Sequence, residues 1–176
     1  MPDWRDRLRA VLAGIGGRRR SADTFSDLRS MALGLDPSSI RTPADEPWSG
    51  AAVAAMELSV GGATATIVAI ADGTVSMYLS SGGGAIGAGE HAAVRAEGQR
   101  FRTVVADSRG LLVRTAAYPL PRTGEVRFHA RIGEDRFTGV APEAALRGGR
   151  HVLAPLYAAG QDLLTEIRLA SEPREC

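Results

Sequence analysis

Lysine and asparagine are both missing from the 176 residues, so arginine supplies all 21 basic side chains other than histidine. The codons for lysine and asparagine are AT-rich, and their absence indicates a bacterial genome of high GC content. Arginine is usually favoured over lysine where a planar group must bind phosphate or carboxylate. Here arginine is the only such cation in use, so its presence alone does not point to an anionic ligand.

Cysteine is nearly missing as well. The single thiol belongs to Cys176, which excludes an intramolecular disulfide and fits a reducing compartment. No apolar run reaches the ~18 residues typical of a membrane span. Arg18-Arg19-Arg20 stands where a signal peptide would have its cleavage site. We therefore expect a cytoplasmic protein.

The chain also lacks a strong net charge. The formal charge is +1, so no overall field attracts nucleic acid or an anionic membrane. We expect no nucleic-acid partner, and binding to a membrane surface is less expected than docking on a protein. Aromatic residues make up 5% of a chain that is 44% hydrophobic, which predicts a core built mainly from Ala, Val, Leu and Ile.

The N-terminal third reads as helix followed by linker. An apolar stripe predicts a helix over residues 2–15, and Trp4, Leu8 and Leu12 on that stripe are candidate partner-binding residues. A second helix is predicted from about Asp23 to Leu33, and three prolines follow it. We predict a helical arm over residues 1–35, a proline-containing linker over 36–50 and an α+β domain over 51–171.

The domain is predicted to begin with a three-stranded meander. Val53–Val60, Ala63–Ala71 and Thr74–Leu79 are separated by Gly61-Gly62 and Asp72-Gly73, which are strong hairpin signals. If both loops have two residues, one face of the sheet carries Met56, Ile67 and Tyr78, and the other carries Ala55, Val68 and Met77. Both faces carry apolar residues, so both are expected to be covered at least partly.

A helix from about Glu90 to Arg109 separates the meander from a second hairpin. The clean alternation of Glu125–Ile132 predicts a half-buried strand, and a short strand follows over Arg136–Val140. A last helix is predicted from Pro155 to Ala170. The fold class is therefore α+β: a mostly antiparallel sheet of a meander plus a hairpin, packed with helices and preceded by an N-terminal helical pair.

The glycine run Gly82–Gly89 contains the spacing G-x-G-x-x-G, which cradles pyrophosphate in dinucleotide-binding folds. The preceding strand belongs to a meander rather than a βαβ unit, so no cofactor is predicted. Two interpretations stay open. The glycines permit tight turns and a close helix, which we favour, or they contact a ligand. The candidate ligand-binding glycines are Gly82, Gly83, Gly84 and Gly87.

A row of basic side chains lies on the Glu125–Ile132 strand. Arg127, His129 and Arg131 share one face, where they are candidates for binding an anion or an acidic partner. The alternative is an ordinary solvated strand face. If this face packs near the glycine run, the two signals form one site.

Metal and catalytic signals are weak. His91, His129 and His151 have no partner at zinc-ligand spacing, so no metal is predicted. No G-x-S-x-G elbow occurs, and no catalytic residue is assigned.

The leading functional hypothesis is a non-enzymatic interaction or scaffold domain that binds a protein partner or associates with itself. The alternative is a small-molecule or nucleotide-sensing domain that uses the Gly82–Gly89 loop, with Arg127 and Arg131 as counter-charges. An enzyme of unknown chemistry comes third.

Overall fold

The computed structural model describes residues 21–41 and 50–171. Four α-helices occur in these ranges: α1 (Ser21–Leu33), α2 (Ala92–Asp107), α3 (Glu143–Arg147) and α4 (Ala154–Ser171). The strands are β1 (Val53–Val60), β2 (Ala63–Ile70), β3 (Val75–Leu79), β4 (Gly84–Ala85), β5 (Val113–Arg114), β6 (Glu125–Ile132) and β7 (Asp135–Pro142).

All seven strands form one antiparallel sheet in the order β4-β3-β2-β1-β6-β7-β5. The meander β1–β3 and the hairpin β6–β7 therefore join along β1 and β6. The predicted α+β class is confirmed. Helix α1 corresponds to the second helix of the predicted N-terminal pair, whereas the predicted helix over residues 2–15, with Trp4, Leu8 and Leu12, lies outside the described residues.

The two loops of the meander differ in length. Gly61 and Gly62, at φ 57° and 82°, form the predicted two-residue turn, and Val60 pairs with Ala63. The β2–β3 loop has three residues, because the Ile70 amide donates to the Thr74 carbonyl at 2.8 Å. Within this loop the Gly73 amide donates to the Ile70 carbonyl at 3.0 Å, with Gly73 at φ 84°.

The extra residue shifts the register of β3. Ile67 pairs with Met77 rather than with Tyr78, and Tyr78 lies opposite Thr66 on the other face of the sheet. The predictions that Tyr78 shares a face with Met56 and Ile67, and that Met77 shares a face with Ala55 and Val68, are therefore both wrong.

Helices α2 and α4 pack on one face of the sheet, called here the helix-pair face. Two glycines allow this close approach. A Cβ on Gly98 would lie 2.6 Å from Val75 Cγ2, and a Cβ on Gly160 would lie 2.5 Å from Met56 Sδ. The core between the layers includes Met56, Ile67, Phe101, Phe128, Leu156, Leu163 and Ile167.

Helix α1 and residues 34–40 cover much of the opposite face, called here the α1 face. They share one buried cluster with the strands, and its larger members are Phe25, Leu28, Leu33, Leu35, Ile40, Val53, Val68, Ile70 and Tyr78. Part of the predicted arm is therefore packed on the sheet. The predicted boundaries at residues 35 and 50 stay a prediction.

Strands β4 and β5 were not predicted, because two-residue strands carry no periodic signal. They lie at the two edges of the sheet and pair with β3 and β7 respectively. Within residues 21–41 and 50–171, no helix combines the length and the hydrophobicity needed to cross a bilayer.

Candidate functional site: a buried charged cluster beneath α1

The candidate site is centred on Glu57 in β1. Side chains alternate along a strand, so Met56 points to the helix-pair face and Glu57 points to the α1 face. Glu57 lies opposite Thr66 on β2 and Arg127 on β6, and it is fully buried. A carboxylate at this depth requires hydrogen-bonded, charged partners.

Arg29 of α1 provides the main partner. Its Nε donates to Glu57 Oε1 at 2.6 Å and its Nη2 donates to Oε2 at 2.8 Å, so the pair is bidentate. Thr66 Oγ1 donates to Oε1 at 2.7 Å. Arg29 Nη2 also donates to the Tyr118 carbonyl at 2.8 Å, which ties the 115–121 loop to the same cluster.

His129 of β6 completes the cluster. Its Nε2 lies 3.1 Å from Glu57 Oε2, and its Nδ1 lies 3.1 Å from Thr138 Oγ1 on β7. Because an ionised carboxylate only accepts, the assignment that satisfies this contact gives Nε2 a proton that it donates to Glu57. The ring of Tyr118 meets the imidazole edge-on, with centroids 5.0 Å apart and an interplanar angle of 63°.

The environment shifts the pKa of Glu57. Burial alone would raise it, but hydrogen bonds from His129 and Arg29, together with their charges, outweigh burial and lower the pKa from 4.5 to about 2. Glu57 is therefore a stable carboxylate at neutral pH.

Carboxylate, imidazole and hydroxyl groups in series can activate a nucleophile. In this chain Glu57 and His129 are both fully buried beneath α1, and the Thr138 hydroxyl also lies 3.2 Å from the Phe128 carbonyl of its own sheet. This arrangement supports a structural role: the cluster fastens α1 and the 115–121 loop to the sheet.

The structure places the three predicted residues of β6 in or beside this cluster. Arg127, His129 and Arg131 share the α1 face, where His129 is fully buried and Arg131 nearly so. The Nε atoms of both arginines are buried without a hydrogen-bond partner. These side chains do not form an ordinary solvated strand face.

The glycine run lies elsewhere. Gly84 belongs to β4, and three strands separate β4 from β6, so the run and the basic row are not brought together. Gly82, Gly83, Gly84 and Gly87 all have positive φ. A Cβ on Gly84 would lie 2.1 Å from the Met77 carbonyl oxygen, and one on Gly89 would lie 2.1 Å from the Gly73 carbonyl oxygen.

The glycine geometry agrees with the interpretation that these residues permit tight turns and close packing. Arg95 of α2 adds to this packing, because its Nε donates to the Gly89 carbonyl at 2.9 Å.

Sequence reasoning missed Arg29, Glu57 and Thr138 as members of a site. One signal was present: Glu57 is the only charged residue in the strand Val53–Val60, and it interrupts an otherwise apolar stretch. Nothing in the sequence pairs it with Arg29 or His129, which lie 28 and 72 residues away.

A shallow groove occurs away from this cluster, between α3 and α4. Val152, Pro155 and Ala158 line it together with Arg147 and Tyr157. The Tyr157 hydroxyl donates to Glu143 Oε1 at 3.1 Å and accepts from Arg147 Nε at 3.3 Å, so Tyr157 and Arg147 are bound to each other and to Glu143.

Within the described ranges, no three His, Cys, Asp or Glu side chains gather where a metal ion could bind. The chain matches no protein-family model, no curated protein and no solved structure.

Proposed function

We propose that the chain is a non-enzymatic protein-interaction domain that binds a protein partner or a second copy of itself through the β5–β7 edge of the sheet. One observation carries this proposal. Three large apolar side chains at that edge, Leu111, Val113 and Val140, are 48%, 68% and 42% exposed.

These side chains occupy neighbouring positions. Val113 pairs with Thr138, and Val140 is two residues further along β7, so both point to the same face of the sheet. Leu111 precedes Val113 by two residues, at the end of the 3-10 turn that leads into β5. Contiguous exposed apolar surface of this kind marks interaction sites in proteins.

The edge itself is short. Strand β5 pairs with Phe137 and Thr138 only, although β7 runs from Asp135 to Pro142. Pro142 has no amide proton, so an added strand would gain few main-chain hydrogen bonds. Contact at this edge therefore depends mainly on side-chain packing.

The buried charged cluster contacts the β5–β7 edge through Thr138. Thr138 pairs with Val113 on β5 and also lies 3.1 Å from His129 Nδ1. The apolar patch thus stands on a hydrogen-bonded part of the sheet, and a preformed surface binds with a smaller loss of conformational entropy.

Trp4, Leu8 and Leu12 stay a second predicted contact surface. The small-molecule or nucleotide alternative would rely on the Gly82–Gly89 backbone, and no described contact favours it. Cytoplasmic location and bacterial origin likewise stay expectations.

The first test measures molar mass in solution. Sedimentation equilibrium is compared for the wild-type chain, Val113→Glu and the control Val152→Glu, whose residue is also exposed but lies beside the α3–α4 groove. If the partner is a second copy, the wild type and the control are dimers and Val113→Glu is a monomer.

If the wild type is a monomer, a photo-crosslinking amino acid at position 113 tests for a different partner in cells. A discrete adduct is expected from position 113 and not from position 152. A monomeric wild type with equal adducts, or none, from the two positions contradicts the proposal.

A further inference from the structure

We propose that Arg131 and Arg136 form a binding site for an oxyanion, a phosphate or a carboxylate group, on the α1 face of the sheet. This inference is independent of the proposed interaction function. It depends on a pair of arginines that lack carboxylate partners among the described residues and on one buried guanidinium that has an unsatisfied donor.

The backbone of Arg131 lies inside the sheet. It pairs with Val53 of β1 on one side and with Arg136 of β7 on the other. Only 8% of the residue is exposed, and its Nε is buried without a hydrogen-bond partner. A buried donor left unsatisfied is unfavourable, and an anion that accepts from it relieves that penalty.

Arg136 lies directly opposite Arg131 on the same face, and its side chain is exposed. Like charges in directly opposite positions destabilise a sheet. Among the residues that the structure describes, no carboxylate forms an ion pair with either arginine, and the neighbouring Asp135 pairs with Arg114 at 2.7 Å. An oxyanion between the two guanidinium groups would remove their repulsion.

Tyr118 forms one wall of the site. The Arg136 guanidinium lies 5.8 Å from the centre of the Tyr118 ring. The Tyr118 hydroxyl donates to the Ala130 carbonyl at 3.3 Å. Burial raises the pKa of Tyr118, while the charges of Arg131 and Arg136 and a side-chain hydrogen bond with Arg131 act in the opposite direction. The phenol therefore stays neutral and adds no negative charge against an anion.

The Asp36 carboxylate interacts electrostatically with Arg131. A hydrogen bond from the Ser38 amide lowers the pKa of Asp36, and the charge of Arg131 contributes further. Asp36 makes no ion pair with Arg131, so it weakens the site without filling it. Arg127 is a poorer candidate, because its Nη2 lies 3.8 Å from Glu125 Oε2.

The test is an NMR titration of the full chain with sodium phosphate at constant ionic strength, with sodium chloride replaced stepwise. A second series uses sodium acetate, which distinguishes a carboxylate from a phosphate ligand. We expect a saturable shift of the Arg131 Nε–H resonance and of amides near residues 131 and 136.

Four variants locate the effect. Arg131→Gln is expected to weaken binding by about tenfold or more, since it removes a charged hydrogen-bond donor. Asp36→Asn keeps the acceptor that caps Pro37–Ser39 but removes the charge, and it is expected to tighten binding. Arg168→Gln, on α4 at the other face, is expected to bind like the wild type.

If Arg131→Gln does not fold, Arg136→Gln takes its place in the titration. Residue 136 is exposed, so removing the charge of Arg136 should weaken binding without unfolding the chain. Shifts that stay linear with phosphate and acetate concentration in the wild type would overturn the proposal. An affinity for phosphate or acetate that is the same in the folded Arg131→Gln variant as in the wild type would overturn it too, and so would an unchanged affinity in Arg136→Gln.

Discussion

Arg29 of α1 and Glu57 of β1 form a bidentate ion pair in the interior of the α1 face, with N···O distances of 2.6 Å and 2.8 Å. The same guanidinium donates to the Tyr118 carbonyl at 2.8 Å. One side chain therefore joins a helix, the central part of the sheet and a long loop.

Removing the cation should destabilise the fold strongly. Arg29→Met leaves Glu57 as a buried carboxylate without its bidentate partner, and breaking a buried pair in this way costs about 3–5 kcal/mol. Urea unfolding followed by circular dichroism measures the loss. Adding Glu57→Gln to Arg29→Met should recover part of the stability, and a double variant no more stable than Arg29→Met would contradict this account.

The stability of the fold should fall in acid. The pKa of Glu57 is about 2 in the folded chain and 4.5 in its ordinary state. As the pH falls, Glu57 therefore binds a proton in the unfolded chain before it does so in the folded chain, which favours unfolding. The stabilisation is complete above pH 4.5 and is lost as the pH falls from 4.5 to 2. The difference amounts to about 3 kcal/mol. Unfolding free energies of wild type and Glu57→Gln, measured across this range, should converge at low pH; parallel curves would refute the role of Glu57.

Truncation should separate the packed helix from the rest of the predicted arm. A chain that begins at residue 42 lacks Phe25, Leu28, Leu33 and Ile40, and burial of each large apolar side chain is worth about 1.5–3 kcal/mol. We expect this chain to be unfolded or molten in an NMR spectrum. Well-dispersed resonances would show instead that α1 is a detachable arm.

Gly98 should resist substitution even though alanine favours helices. Gly98→Ala gains about 1 kcal/mol in helix propensity. Its Cβ would lie 2.6 Å from Val75 Cγ2, and overpacking of this kind costs about 1–3 kcal/mol. We expect a net loss of stability in urea unfolding. Adding Val75→Ala in the same chain should make Gly98→Ala neutral or favourable, and persistence of the loss would point to another cause.

Two adjacent glycines of the run should differ. Gly84→Ala brings a Cβ within 2.1 Å of a backbone carbonyl, whereas Gly83→Ala meets no atom within 4 Å and suffers only the strain of φ 85°. Strain of that kind is worth about 1–2 kcal/mol. Thermal unfolding should therefore show a much larger loss for Gly84→Ala. Equal losses would mean that the run is not shaped by packing against β3.

The sequence predicted the longer elements well, because their signals are local. The bounds predicted for the strand Glu125–Ile132 match β6, although most of this strand is buried on both faces rather than on one. The paired glycines at 61 and 62 match the first turn. The pairing of β3 with β2 was predicted one residue out of register. An Asp-Gly sequence occurs in two-residue and in three-residue loops, so it does not fix the length of the loop at Gly73. Strands β4 and β5 are too short to show any period.

The candidate site was predicted only in part. Arg127, His129 and Arg131 were recognised as a row, but their partners were not, because Arg29 and Glu57 meet them through tertiary packing. The G-x-G-x-x-G spacing of the glycine run is compatible with tight turns or with a ligand loop. Its positive φ values and backbone contacts agree with tight turns, and ligand binding by the run stays a prediction.

The junction of β1 and β6 has a consequence for how the chain folds. Strands β1–β3 and strands β6–β7 each pair through short turns, whereas β1 must find β6 across more than 60 intervening residues. Closing so long a loop is entropically costly and slow. We therefore expect β1 and β6 to pair after the local turns have formed, and the Glu57–His129 contact joins the two strands at that junction.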